Sequence, residues 1–341
     1  MSKEELALDT GVSPRHLSFL ETGRSQPGSL RIPLLRVTDW PAMPERGLWG
    51  SDCFEHLRWM ADRKLNVAEQ ISYIWVDEQG RGHGKMKPGR EVMTQDGPKL
   101  GILPLPAVVH LNQLSGKGLF EAYPELVGKG GDEGSVCFSQ PAMASVLSDW
   151  IVELGSMNGV RDVDVWMSEN LHGRGGCGCE LCKGHDRNVL EAQAIVKAWQ
   201  KARERLPSVG LRALTSEETY GSNREILKVL PREVKLVYYH SLLTYTAARQ
   251  PMVDELIATE AASGRSVGIT PQLSGLVGPP APFTGPQFIQ YRMQEFCDKG
   301  LSSFTGYATP LLAHNLFNVE AAAEWSWNPD GRSPEEFARS Y

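Results

Sequence analysis

The chain has 341 residues, 41% hydrophobic and 22% charged, which is enough apolar content to bury a core and too much for a disordered chain. With 35 basic against 41 acidic side chains the net charge is −6, which argues against a protein whose main task is coating nucleic acid or an anionic membrane. The longest apolar stretch, Gly101 to Leu111, is broken by Pro104 and Pro106, and the first residues (MSKEE) lack the apolar region of a secretory signal, so the expectation is a cytoplasmic protein without a spanning segment.

The first 28 residues differ from the rest. Lys3 to Asp9 reads as a short helix, Gly11 as a turn, and Ser13-Pro14 as the cap and first position of a second helix, Arg15 to Thr22. The residues LALDTGVSPRHLSFLETGRSQP resemble the DNA-reading helix pair of the lambda-repressor-like regulators. A helix pair alone cannot bury enough apolar area to stay folded, and the following run, Arg31 to Pro41, is extended and bounded by prolines. The expected organisation is therefore a partial helix-turn-helix fragment at 1–28, an extended linker at 29–45 and one large domain at 46–341, with nucleic acid not expected as a partner.

From Arg46 onward strand-like and helix-like patterns alternate. Strands are predicted to begin near Gly47, Glu69, Ile102, Asp162, Val209, Val234, Ser266 and Leu301. Between Pro141 and Gly155, apolar Met143, Val146, Leu147, Trp150, Ile151 and Leu154 fall on one helical face. Phe54 to Asn66 and Leu190 to Leu206 read similarly. Eight βα units over about 260 residues predict a (β/α)8 barrel, the TIM barrel, in the α/β class. An open doubly wound sheet is the alternative, but no glycine-rich phosphate loop is present.

In such a barrel the active site forms where strands end. The predicted ends carry Asp52, Asp77, His110, Glu169-Asn170, Glu217-Glu218, Tyr238-Tyr239-His240, Gln272 and Tyr307, with Trp325 and Trp327 further on. Carboxylates, amides and aromatics on one rim are what a glycosidase needs. One carboxylic acid protonates the leaving oxygen, a second group handles the anomeric carbon, and aromatic faces hold the sugar. Trp49, Trp59, Trp150 and Trp199 read as core.

Three stretches carry a family resemblance. Asp39 to Leu48 (DWPAMPERGL), Met60 to Asn66 (MADRKLN) and Asp149 to Asn170 resemble, in order, the approach to the first barrel strand, the end of the first helix, and the helix and fourth strand of family 20 glycosidases, the β-N-acetylhexosaminidases. The resemblance implies a glycoside hydrolase with Glu169 as general acid, Arg46 gripping sugar hydroxyls, and Trp325 and Trp327 as an aromatic wall. Glu217 and the adjacent Glu218, one strand on, are the nearest candidate partner carboxylates, with Asp52 and Asp77 next, and Asp77, His110, Asn170 and Tyr239 are candidate substrate contacts. The family's Asp-Glu pair is here Ser168-Glu169, so the aspartate that orients the substrate acetamide is missing. A sister group, α-glucuronidase-like, and a non-catalytic carbohydrate-binding barrel are the alternatives. Along the fourth strand Val163, Val165 and Met167 form the apolar face, so strict alternation places Glu169 with them, and its role requires the chain to bend at or before that residue.

No cofactor is required by this chemistry. Cys177, Cys179, Cys182 and His185 offer the donor set of a structural Cys3His zinc site, while Cys53, Cys137 and Cys297 read as small buried hydrophobes.

Overall fold

In the computed structural model the described residues are 40–50, 53–114, 118–130, 135–169, 176–240, 244–274, 285–308 and 315–341. The helix-turn-helix fragment, residues 29–39 of the linker, Asp52 and Asn170 lie outside them. Eight parallel strands close a barrel: β1 (Glu45–Trp49), β2 (Val67–Ile71), β5 (Leu103–Val108), β6 (Asp162–Trp166), β7 (Gly210–Ser216), β8 (Lys235–Tyr239), β9 (Val267–Thr270) and β10 (Ser303–Tyr307). The ring closes where β10 pairs with β1, Glu45 to Ser303 through Trp49 to Tyr307. β3 (Tyr73–Val76) and β4 (Gly82–Lys85) form a separate antiparallel hairpin.

The longer helices are α1 (Leu57–Asp62), α2 (Pro141–Gly155), α3 (Arg187–Arg205), α4 (Asn223–Val229), α5 (Glu255–Ala262), α6 (Pro286–Asp298), α7 (Leu316–Trp327) and α8 (Pro334–Ser340). The face predicted for α2 is the one buried, from Met143 to Leu154. Asp186 starts α3 by accepting the backbone N–H groups of Asn188 and Val189. Among the described residues no helix is long and apolar enough to cross a membrane.

The period-2 alternation of each strand sorts its residues between the barrel interior and the helical layer. Val163 and Val165 face the helices, and Asp162, Asp164 and Trp166 face inward. The strand registers set Asp164 level with Arg212 and Arg212 level with Lys235, and Glu45 and Asp162 meet this row through ion pairs, while Glu69 stands higher, level with Trp49. This lower interior is charged, where barrels ordinarily carry branched aliphatics. Arg212, 2% exposed, binds Glu45 at 3.0 Å and Asp162 at 3.2 Å, and Lys235 reaches the same two carboxylates at 2.8 Å. At Gly47 an added Cβ would stand 2.2 Å from the Val67 carbonyl, so this closely approached point of the ring admits only glycine.

Candidate active site

A cavity of about 270 Å³ opens at the carboxyl end of the barrel, lined by Trp49, His110, Trp166, Glu169, Leu214, Tyr239, Thr270 and Tyr307. Every barrel strand except β2 contributes to it, either from its last residues or from the loop directly after. Trp49 stacks on Tyr307 with centroids 4.4 Å apart and tilts against Trp166 at 5.2 Å. The lining is mostly apolar, with one carboxyl and one imidazole, the pattern of a small-ligand pocket.

Glu169 enters this cavity because the chain leaves the strand geometry. β6 ends at Trp166 and a bend falls at Glu169. Ser168 is drawn outward: its backbone N–H and its Oγ both donate to Glu191 Oε1, at 2.9 and 2.7 Å. The loop after β5 grips the same three residues. The Met167 carbonyl accepts from His110 Nδ1 at 2.7 Å, Ser168 Oγ accepts the Asn112 N–H at 2.9 Å, and the Glu169 carbonyl accepts from Asn112 Nδ2 at 2.9 Å. A carbonyl only accepts, so the His110 proton sits on Nδ1, and Nε2 faces Glu169 Oε1 at 3.9 Å. Glu191 is fully buried on α3, and burial pushes its carboxyl up to about 8 against the opposing pull of Ser168.

Glu217 lies one strand further round, in the first turn after β7, which Ser216 caps by accepting the Glu218 N–H. Burial raises its carboxyl above the ordinary glutamate value, and the charges of Glu169 and Glu218 raise it further. Its Oε2 stands 3.9 Å from His240 Nδ1, and both atoms are buried with no hydrogen-bond partner among the described residues. Buried polar atoms left unsatisfied in this way mark places where a ligand or water completes the bonding.

Beneath the cavity, Glu69 accepts from Trp166 Nε1 at 2.9 Å. Burial holds Glu69 well above the usual carboxylate range, and the neighbouring Asp164 carboxylate adds to the effect. Asp164 is itself raised by burial and drawn back by Arg212.

Glu169, His110 and Tyr239 are thus brought together, with Glu217 beside them. Four other expectations are corrected. Arg46 follows interior Glu45 on β1, so alternation sends it outward; its guanidinium binds the Met43 carbonyl at 2.7 Å and lies 4.9 Å from the Trp327 ring. Trp325 and Trp327 end α7 at the opposite, amino end of the barrel, where the Trp327 carbonyl accepts the Ala42 N–H at 2.9 Å; Trp325 is fully buried against Phe337. Asp77 sits in the β3–β4 turn, bound to the backbone of Gln79 and Arg81 and to His83, because the second predicted strand breaks at Ser72 into β2 and a hairpin. His185 is exposed, and the fourth member of the cysteine cluster is Cys137. The aromatic wall comes instead from Trp49 and Trp166. Alternation along β1 and β6 does mark both as interior, once it is known which face of each strand closes the barrel.

No protein-family model matches the sequence, and no curated protein matches it. Solved structures do share the fold. A GH138 enzyme targeting pectin rhamnogalacturonan II superposes with a TM-score of 0.59 at 12% identity, over 93% of this chain and 42% of its own. A GH89 protein from Clostridium perfringens, in complex with its substrate GlcNAc-alpha-1,4-galactose, gives 0.58 at 12% identity, over 93% of this chain and 40% of that one. The GH53 catalytic domain of Ignisphaera aggregans gives 0.52 at 12% identity, over 81% and 87%. The chain therefore spans less than half the length of the first two. At these identities the likeness is one of fold, the (β/α)8 barrel.

Proposed function

We propose that this chain is a glycoside hydrolase that cleaves O-glycosidic bonds, with Glu169 as general acid and Glu217 as the second carboxylate. The observation that carries this reading is the Glu169 carboxyl projecting into an aromatic-walled cavity at the carboxyl mouth of the barrel, with Glu217 near enough that the Glu169 charge adds to the burial that raises the Glu217 carboxyl. Trp49 and Tyr307 offer flat faces to a sugar ring, and Glu169 protonates the leaving oxygen. Glu217 acts at the anomeric carbon, directly or through water; carboxyl separations of about 5 Å and about 6.5–9.5 Å distinguish retention from inversion. The glycosidase barrels that share the fold support the same substrate class.

The resemblance to β-N-acetylhexosaminidases contributes the placement of Glu169 after the fourth barrel strand. It does not extend to acetamide participation, because Ser168 replaces the required aspartate and its hydroxyl is engaged by Glu191. Glu217 takes the second role in its place.

A panel of aryl glycosides carrying N-acetylhexosaminyl, hexosyl and hexuronosyl groups tests the reading. The wild type is expected to hydrolyse at least one, and Glu169→Gln to lower that rate by about 10²- to 10⁴-fold with the fold retained. An unchanged rate in Glu169→Gln refutes the assignment. Sugar binding with no hydrolysis across the panel favours a carbohydrate-binding barrel.

A further inference from the structure

Away from the cavity, the described residues gather one dense group of soft donors. The sulfurs of Cys137, Cys177, Cys179 and Cys182 all lie within 4.8 Å of one another. We propose that these four cysteines form a tetrathiolate zinc site that fastens the chain following Glu169 to the segment preceding α2.

Distances carry the case. Cys137 Sγ stands 3.7 Å from both Cys179 Sγ and Cys182 Sγ. A tetrahedral ion with Zn–S bonds of about 2.3 Å has sulfur–sulfur edges of about 3.8 Å. Disulfide sulfurs lie about 2.05 Å apart, and all four of these cysteines are free thiols.

Local backbone geometry agrees. Between Cys179 and Cys182 the chain makes a tight turn, in which the Cys179 carbonyl accepts the N–H groups of Cys182 at 2.9 Å and Lys183 at 2.8 Å. This turn brings two sulfurs to one side, as Cys-x-x-Cys ligands require. Cys177 Sγ accepts the backbone N–H of Lys129 at 3.3 Å and of Cys179 at 3.4 Å, and Ser139 Oγ lies 3.2 Å from Cys182 Sγ. Donors aimed at the sulfurs are the outer shell that orients and stabilises metal thiolates. An all-sulfur set excludes calcium and magnesium, which take oxygen ligands, and favours zinc.

Four protein ligands leave no open position, so the ion is structural. It acts as a clasp. Cys137 follows Val136, which bridges to both Val127 and Gly176, and the other three ligands follow Gly176. The metal thus adds a crosslink beside the Val136–Gly176 bridge that already joins the two segments. The site stands independently of the glycosidase reading.

Metal analysis of the full chain, purified with reductant and without chelator, tests the proposal. About one zinc per chain is expected, falling below a tenth of an equivalent in Cys137→Ser and unchanged in His185→Ala. Cobalt substitution should give the intense charge-transfer absorption of a tetrathiolate, and chelation should lower the wild-type Tm. Metal-free wild type with all six thiols titrating freely overturns the site, as does a disulfide among the four cysteines. Loss of zinc in His185→Ala with zinc retained in Cys137→Ser overturns the ligand set, and iron in place of zinc overturns the metal.

Discussion

Ser168 Oγ donates to Glu191 Oε1 at 2.7 Å, and the backbone N–H of Ser168 donates to the same carboxyl. This pair joins the end of β6 to α3 and decides which way the next side chain points. With Ser168 held toward the helices, Glu169 turns into the cavity although the apolar alternation of β6 places it on the helical side.

Glu191→Leu should therefore impair Glu169 by freeing Ser168. Leaving the Ser168 donors without a buried acceptor costs about 1–3 kcal/mol of stability, and the hydrolytic rate should fall even where the protein remains folded. Glu191→Gln keeps an acceptor and should retain most activity. The two variants also separate in pH dependence. A carboxyl whose folded pKa of about 8 exceeds its unfolded value binds more protons in the folded state, so its contribution is present below the unfolded pKa of 4.5 and is lost as pH rises through 8. Chemical denaturation from pH 4 to 9 should show that decline in the wild type and a flatter curve in Glu191→Gln.

Glu217 should report on the charge of Glu169. Burial is the largest cause of its raised carboxyl and the like charge of Glu169 adds to it, so Glu169→Gln should lower the Glu217 pKa while leaving it above the ordinary glutamate value. NMR titration of the side-chain carboxyls measures this directly. An unmoved Glu217 would place the two groups outside electrostatic reach and remove the proposed pairing.

Trp49 lines the cavity and is backed by the stacked ring of Tyr307. Trp49→Ala should weaken sugar binding by about 1–3 kcal/mol, roughly fivefold to 150-fold, with little change in the protonation chemistry. The expected signature in steady-state kinetics is a raised KM with kcat less affected. A fall in kcat alone would argue that the indole shapes the barrel rather than the ligand.

Arg212 is the central cation of the lower barrel, facing Glu45 and Asp162 directly and drawing the Asp164 carboxyl down. Arg212→Ala leaves buried carboxylates short of a partner and should cost about 3–5 kcal/mol, read as a lowered denaturation midpoint. Lys235 remains bound to Glu45 and Asp162, so those two carboxylates keep one cationic partner and the loss should fall toward the lower end of that range.

The alternation of βα units, the buried face of α2 and the position of Glu169 just past the fourth barrel strand were all legible in the sequence, because each depends on spacing within a short window. Three of the four cysteine ligands were legible for the same reason, since Cys177, Cys179 and Cys182 crowd one loop. What only the tertiary structure decided are relations between residues far apart in the chain. Glu191 orients Ser168 across a turn of the fold. Cys137 joins a cluster more than 40 residues downstream. Arg46, Trp325 and Trp327 sit at the amino end of the barrel, while Trp49 and Trp166 line its mouth. A local pattern fixes which residues share a face of a strand or helix. Closure of the ring fixes which of those faces meet, because that depends on pairing partners contributed by every other strand.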